Sequence, residues 1–510
     1  MLRNGKSGHL GLDALFLYMG NAVQASAGML FYFIIMKIYN TAQVGTLAIF
    51  LAIIGLFSTI FTFGLNIAAE HFTSYNIGLR NLVLARKTIY KIVLMALILS
   101  LIGFFTLFMI SNVISTLFLH TIKYTSLIRL LGIDVVGMVL FSVLNGVLIG
   151  MQYFRLSAVI NILIWLIYYL LSIVLVLYRH SIKFIIIGWI IGIFLGVVLT
   201  GFLIMKLLSY YNGNVDSSTL SNKIILKFST PVVLSAIVSY GSSYVDRFVL
   251  AGLMSLSSIG IYNLALLIAG GVAFITPPFN SILMSKLSEY FGMGSKEKVS
   301  EIVKASVLFL YWLYVPAAIG TAALSPLAIG ILGGQQYLNG SIPLSIILIT
   351  SAIFVSRTVL LRTMASVRKT SIFIYSSTIA LFFNILLSIL LIPKFGLIGA
   401  SIGFSSIYGT TFITAVYFTK KEHIESFDIL GILKVWISSI CMYFWLLLLI
   451  SLFGTNLLLL PLYLISGGII YISTAKLLRV FNSKNRTILE SVFPNSDGKL
   501  RKILNFLVLS

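Results

Sequence analysis

Asp246 and Arg247 stand side by side in one apolar run, Arg357 stands in a second and Asp134 in a third. A charge at the middle of a bilayer costs at least about 2.5–3.5 kcal/mol on insertion scales, so such a side chain normally faces a cavity or a partner. Lys37 lies at the outer end of the first apolar run, and Glu70 closes the second at the opposite side. Together these six residues are the candidates for binding a substrate. The planar, two-pronged arginine donor suits a phosphate or pyrophosphate, and the charges of the spans, Arg247, Arg357 and Lys37 against Asp134 and Asp246, would give a central cavity net positive charge. A structural account is also open: Asp134 and Asp246 neutralise basic neighbours in packed helices, while Lys37 and Arg247 snorkel to an interface. That account fits Arg357 least, because it sits a full turn or more from the inner boundary of its run.

Other chemistries find few residues. The five histidines, His9, His71, His120, His180 and His423, all fall near the ends of apolar runs and do not converge as metal ligands must. Cys441 is the only cysteine, so neither an intramolecular disulfide nor a cysteine metal cluster is possible. No phosphate-cradling glycine loop or nucleophile elbow stands out. We therefore expect no catalytic residue, no metal, no cofactor and no direct use of ATP.

The elements that must position the charges are membrane helices. With 59% hydrophobic residues, 9% charged residues and a mean hydropathy of +1.08, the chain departs far from soluble proteins, which carry about 25% charged residues. Taking about 20 apolar residues per crossing, fourteen spans are expected, at roughly 13–36, 44–65, 92–112, 128–150, 157–178, 184–205, 229–252, 259–280, 305–325, 343–363, 371–392, 397–418, 435–453 and 457–476. The first reads as a span and not a removable signal, since no small-residue cleavage site follows it. Pro316 and Pro326 could bend or end the ninth, with a short extra turn before the polar loop at 333–340.

The net charge of +22 would suggest nucleic acid in a soluble chain, but here the basic residues occupy short loops, and no nucleic-acid partner is expected. With a cytoplasmic N-terminus, the inner segments collect 27 of the 35 Lys and Arg and the outer segments six, the other two being Arg247 and Arg357. That bias predicts a multi-pass cell-membrane protein with both termini in the cytoplasm.

The run Lys183–Gly192 (KFIIIGWIIG) returns 211 residues later as Lys394–Gly403 (KFGLIGASIG). Gln43–Leu47 likewise corresponds to Ser258–Tyr262 at an offset of 215, with Tyr75 and Tyr290 following at the same offset. The expected fold is thus all-α, with two six-helix lobes at 1–218 and 219–430 related as a parallel repeat. Two further spans follow at 431–478, then a basic amphipathic cytoplasmic tail at 479–510. All nine prolines lie at or after Pro231, so bending in the first lobe would have to use glycines such as Gly20 and Gly28. Residues 75–91 and 290–304 read as amphipathic elbows on the membrane surface, and the tail as a helix against anionic inner-leaflet lipid.

Three stretches resemble one family. Lys37–Ala48 (KIYNTAQVGTLA) is similar to the stretch between spans 1 and 2 of polysaccharide and oligosaccharide flippases, of the O-antigen and teichoic-acid exporter type, in the multidrug/oligosaccharidyl-lipid/polysaccharide exporter superfamily. Asp246–Tyr262 (DRFVLAGLMSLSSIGIY) resembles their spans 7–8, and Asn384–Ser401 (NILLSILLIPKFGLIGAS) a stretch of their second half. The resemblance covers about residues 10–420. One departure is Glu70-His71 after Gly64–Ala69, where many relatives carry an arginine.

The resemblance implies two lobes around a central cavity that pass a lipid-linked oligosaccharide from the inner to the outer leaflet by alternating access. The sugar head group would cross through a hydrated cationic cavity while the polyprenyl tail stays in lipid, so that unpaired polar groups avoid hydrocarbon. Expected partners are that substrate, anionic membrane lipids and glycan-assembly enzymes. Three rivals differ in what they require. An ion-coupled multidrug extruder needs carboxylates along the cavity, a membrane glycan polymerase needs an acidic pair in an outer loop, and a purely structural protein leaves the duplication unexplained.

Overall fold

The computed structural model describes residues 10–209, 220–277, 295–367 and 371–481, with isolated positions at 283, 287, 290, 291, 293 and 369. His9 and the expected tail from residue 482 onward lie outside the described residues, as does most of the loop before residue 295. Seventeen α-helices and no strand occur among the described residues. They are α1 (Leu10–Ile38), α2 (Thr41–Thr62), α3 (Leu65–Gly78), α4 (Leu82–Leu119), α5 (Thr125–Gly150), α6 (Phe154–Tyr178), α7 (Ile182–Leu208), α8 (Asn222–Leu253), α9 (Leu256–Ala273), α10 (Lys296–Ala323), α11 (Ser325–Gly333), α12 (Ser341–Ile353), α13 (Arg357–Ser366), α14 (Ser371–Phe395), α15 (Leu397–Lys421), α16 (Ile429–Phe453) and α17 (Leu460–Leu477). Thirteen helical segments are long and apolar enough to cross a membrane, and α1 adds the apolar stretch Ala22–Ile38. Each falls on one of the fourteen expected spans.

The helices are sorted as in a membrane protein, small and polar inside, large and apolar outside. On α4 the buried positions are Ala96, Ser100, Gly103, Leu107 and Ser111, while Phe105, Phe108 and Met109 are exposed. Ser100 and Ser111 return their hydroxyl protons to the carbonyls of Leu97 and Phe108, so no polar group is left open there.

Two compact units divide the chain at Met1–Gly260 and Ile261–Ser510, so α8 packs within the first, along α2, α3 and α4. Both copies of the repeated decapeptide perform one packing task. In the first unit, a Cβ on Gly188 or Gly192 of α7 would lie 2.6 or 2.7 Å from the Cα of Ser172 or Tyr168 on α6. In the second, a Cβ on Gly399 of α15 would lie 2.3 Å from the Leu391 carbonyl oxygen of α14, and one on Gly403 would lie 2.4 Å from the Ser388 hydroxyl. The other repeated pair meets itself: a Cβ on Gly45 would fall 1.9 Å from the Leu256 carbonyl oxygen, and one on Gly260 would fall 2.0 Å from that of Thr41. Thr41 and Ser257 share a hydroxyl hydrogen bond of 2.6 Å beside this crossing. Gly45→Ala must push the crossing backbones apart, so a stability loss of about 1–3 kcal/mol is expected. Thermal unfolding in detergent checks this, with Gly252→Ala as the control, because a Cβ there meets nothing within 4 Å.

Three expectations are corrected. The elbows are not separate surface helices: 82–91 and 296–304 are the first turns of α4 and α10, which continue into the membrane. At 38 and 28 residues these helices exceed the roughly 20 needed to span. Glu70 does not close the second span. That helix ends at Thr62, Phe63 and Gly64 take positive φ (50° and 68°), and Glu70 sits exposed on α3. The tenth span is broken, with α12 ending at Ile353 and α13 beginning at Arg357. Pro316 is accommodated within α10, whereas Pro326 opens α11.

Candidate functional site

The two intramembrane arginines share one device although they lie in different units. On α8 the guanidinium of Arg247 lies 4.3 Å from the ring centroid of Tyr244. Tyr244 is stacked in turn on Tyr240, with ring centroids 4.3 Å apart and planes 7° from parallel. The spacing 240, 244, 247 is that of one helical face, so α8 itself builds the platform. Tyr240 donates its hydroxyl proton to the Ala52 carbonyl of α2 at 2.9 Å, which ties the platform to the rest of the unit. Gly55 leaves the space: a Cβ there would lie 2.3 Å from the Tyr240 oxygen. Asp246, the neighbouring residue, has no exposed surface.

In the second unit Arg357 lies over the ring of Tyr408 on α15, at 4.7 Å, and close enough to Tyr314 of α10 to interact electrostatically. The helix break places it there. Two amide protons bond over a shorter turn than the helical one, Arg357 to the Phe354 carbonyl and Thr358 to that of Val355. The carbonyl of Ile353, released from the helix, accepts the Tyr311 hydroxyl proton at 2.7 Å. Tyr314 and Ser351 share a second bond across the same interface at 3.0 Å. Among the described residues no carboxylate pairs with Arg357. An aromatic face holds a cation without neutralising it, which leaves the guanidinium protons for an anion.

The remaining candidates separate. Asp134 of α5 has no exposed surface and accepts a proton from Tyr168 at 3.2 Å, so it lines no open cavity in this structure. Lys37 is exposed in the last turn of α1, its ammonium 5.6 Å from the Phe33 ring. Beside Glu70, the ring of His71 stacks on Phe228 at 4.8 Å and 14°. Among the described residues no group of three or more His, Cys, Asp or Glu could hold a metal ion.

In the second unit, ion pairs join Lys369 to Glu422 and Lys304 to Glu425. The hydrogen bond from each lysine holds its partner carboxyl below the ordinary glutamate range. Both pairs are substantially exposed, so they contribute little to stability.

Tyr240 and Tyr244 could have been found from their helical spacing to Arg247. Tyr408 and Tyr311 could not, since 51 and 46 residues separate them from Arg357.

Known proteins share part of this sequence and its fold. The chain is 22% identical over 179 residues to the probable low-salt glycan biosynthesis flippase Agl15 of Haloferax volcanii, covering 35% of this chain and 38% of that protein. The alignment thus spans well under half the length of that relative. In fold it is similar to the lipid II flippase MurJ in an inward closed conformation (TM-score 0.67, 16% identity, 91% of this chain and 98% of that one). It also resembles an inward-facing multidrug resistance MATE family transporter of the MOP superfamily (TM-score 0.61, 16% identity, 78% and 94%). The family of polysaccharide biosynthesis proteins matches residues 34–342, a stretch that carries Lys37, Glu70, Asp134 and the Asp246-Arg247 pair, and this chain belongs to it.

Proposed function

We propose that the protein is a flippase, not an enzyme, that moves a lipid-linked oligosaccharide from the inner to the outer leaflet of the cell membrane by alternating access. Both termini then lie in the cytoplasm, the orientation that the Lys and Arg bias favours. The observation that carries the proposal is the pair of guanidinium groups within membrane helices, each laid on a tyrosine ring and each of a charge and shape that suit a phosphate. Membership of the polysaccharide biosynthesis family and similarity to a probable glycan biosynthesis flippase support the choice of substrate. The two halves, taken as 1–218 and 219–430, act as repeats that move against each other. In the second unit an apolar groove of about 540 Å³, lined by residues including Gly320, Leu324, Met442, Leu446 and Leu464, offers a surface for the lipid tail.

Extrusion of cationic drugs fits less well. The intramembrane carboxylates Asp134 and Asp246 have no exposed surface, whereas the arginines are partly exposed.

The test is purified protein in vesicles that carry a fluorescent polyprenyl-pyrophosphate oligosaccharide in both leaflets. The expected result is that the inner pool becomes accessible to an impermeant glycosidase faster than in protein-free vesicles. No acceleration, together with uptake of a lipophilic cation, would establish extrusion instead.

A further inference from the structure

Asp134 offers an anion no cation, yet its surroundings are built around it. It lies on α5 with no exposed surface, and its Oδ2 accepts the Tyr168 hydroxyl proton at 3.2 Å. Its Oδ1 is buried with no hydrogen-bond partner among the described residues, and no ion pair reaches it. The titratable groups that interact with it are Tyr168 and Tyr169 of α6, with Tyr32 of α1 beyond Tyr168. The other helices packed on α5, namely α2, α3, α4 and α7, bring no Lys, Arg, His, Asp or Glu to it among the described residues. Trp189 of α7 reaches it only through Tyr168, on which it stacks at 5.7 Å and 5°.

From Asp134 a line of phenols leads to Arg247, all within the first unit. Tyr168 meets Tyr169 edge to face at 5.2 Å. Tyr169, seated against Gly28 of α1, interacts electrostatically with Tyr244. Tyr244 lies beneath the Arg247 guanidinium.

An ionised carboxylate removed from water with one hydrogen bond and no cation is strongly disfavoured, and a bound proton relieves it without rearranging the helices. A sodium ion needs several oxygen ligands, and here the protein supplies the carboxylate and one phenol. We propose that Asp134 is a proton-binding site and that the Tyr168–Tyr169–Tyr244 line links its charge to Arg247. The sign follows from Coulomb's law: a negative Asp134 opposes an anion at Arg247, and a proton on Asp134 removes that opposition. Proton and anion therefore favour each other's binding, and the effect is reciprocal. The proton site rests on the fold alone, whereas its coupling rests on the flippase reading.

The test uses the full chain in detergent with Trp165, Trp312, Trp436 and Trp445 replaced by Phe, which leaves Trp189 as the reporter stacked on Tyr168. Its emission should change in one step with pH, and the step should vanish in Asp134→Asn, which keeps an acceptor for Tyr168. Tyr168→Phe removes a bond to the ionised form and should move the step to higher pH. Farnesyl pyrophosphate should bind more tightly below the step than above it, with no such dependence in Asp134→Asn. A step that persists in Asp134→Asn overturns the proton site, as does one unmoved by Tyr168→Phe or displaced by sodium at fixed pH. If the step behaves as expected but farnesyl pyrophosphate binds at no pH, the coupling and the anion site fail while the proton site stands.

Discussion

Arg247→Ala and Arg357→Ala should each abolish most export of lipid-linked glycan while the protein still inserts and folds. A hydrogen bond to a charged group contributes about 1.5–3 kcal/mol, so losing one such contact to a phosphate weakens binding by about tenfold to a hundredfold. Lysine should rescue only partly, because it keeps the charge but not the planar fork that lies over Tyr244 or Tyr408. Arg357 allows a further discrimination. As the first residue of α13 it sits at the positive end of a helix, which disfavours a cation by about 0.3–1 kcal/mol. Its contact with Tyr408 returns a similar amount, about 0.5–1 kcal/mol. The two terms offset, so Arg357→Ala should move the melting temperature little while transport collapses. Asp246→Asn should be milder than Arg247→Ala if the carboxylate only neutralises its neighbour, and equally damaging if it couples an ion. Complementation of a flippase-deficient strain, with surface expression measured in parallel, reads all of these. Full complementation by both alanine variants at normal expression would end the cationic-site mechanism.

The positions of the spans were legible because a membrane helix announces itself by length and apolarity, and each expected span meets a helix. What escaped the sequence depended on distant contacts. The break at residues 354–356 has no local cause, since residues 344–366 contain neither glycine nor proline. It is held by Tyr311 and Tyr314 from another helix, which bond to polar groups of Ile353 and Ser351 just before it. Arg357 looked like a mid-span charge and is the start of a new helix. The repeated glycines were visible as a pattern, but their purpose, letting one backbone touch another, appears only when the partner helix is in place. Asp134 was legible as an intramembrane carboxylate and not as a fully enclosed one, because its one hydrogen-bond partner, Tyr168, comes from α6, and Trp189 of α7 backs that ring.

Gly55→Ala should impair transport nearly as much as Arg247→Ala, although Gly55 carries no chemistry. A Cβ at residue 55 would lie 2.3 Å from the Tyr240 oxygen and within 3 Å of two further atoms of the same side chain. The chain has two ways out. If Tyr240 leaves its place, its bond to the Ala52 carbonyl and its stacking on Tyr244 are lost, and the platform beneath Arg247 goes with them. If Tyr240 stays, α2 and α8 must separate, and overpacking of that kind typically costs about 1–3 kcal/mol. The obstacle is a side chain and not a backbone, so the two effects can be pulled apart. Adding Tyr240→Ala to Gly55→Ala should restore most of the lost thermal stability, a coupling that a double-mutant cycle measures directly. Transport should not return, because Tyr244 remains without its stacked partner. Recovery of transport together with stability would show that α2–α8 packing alone matters, and that the tyrosine platform has no role in holding Arg247.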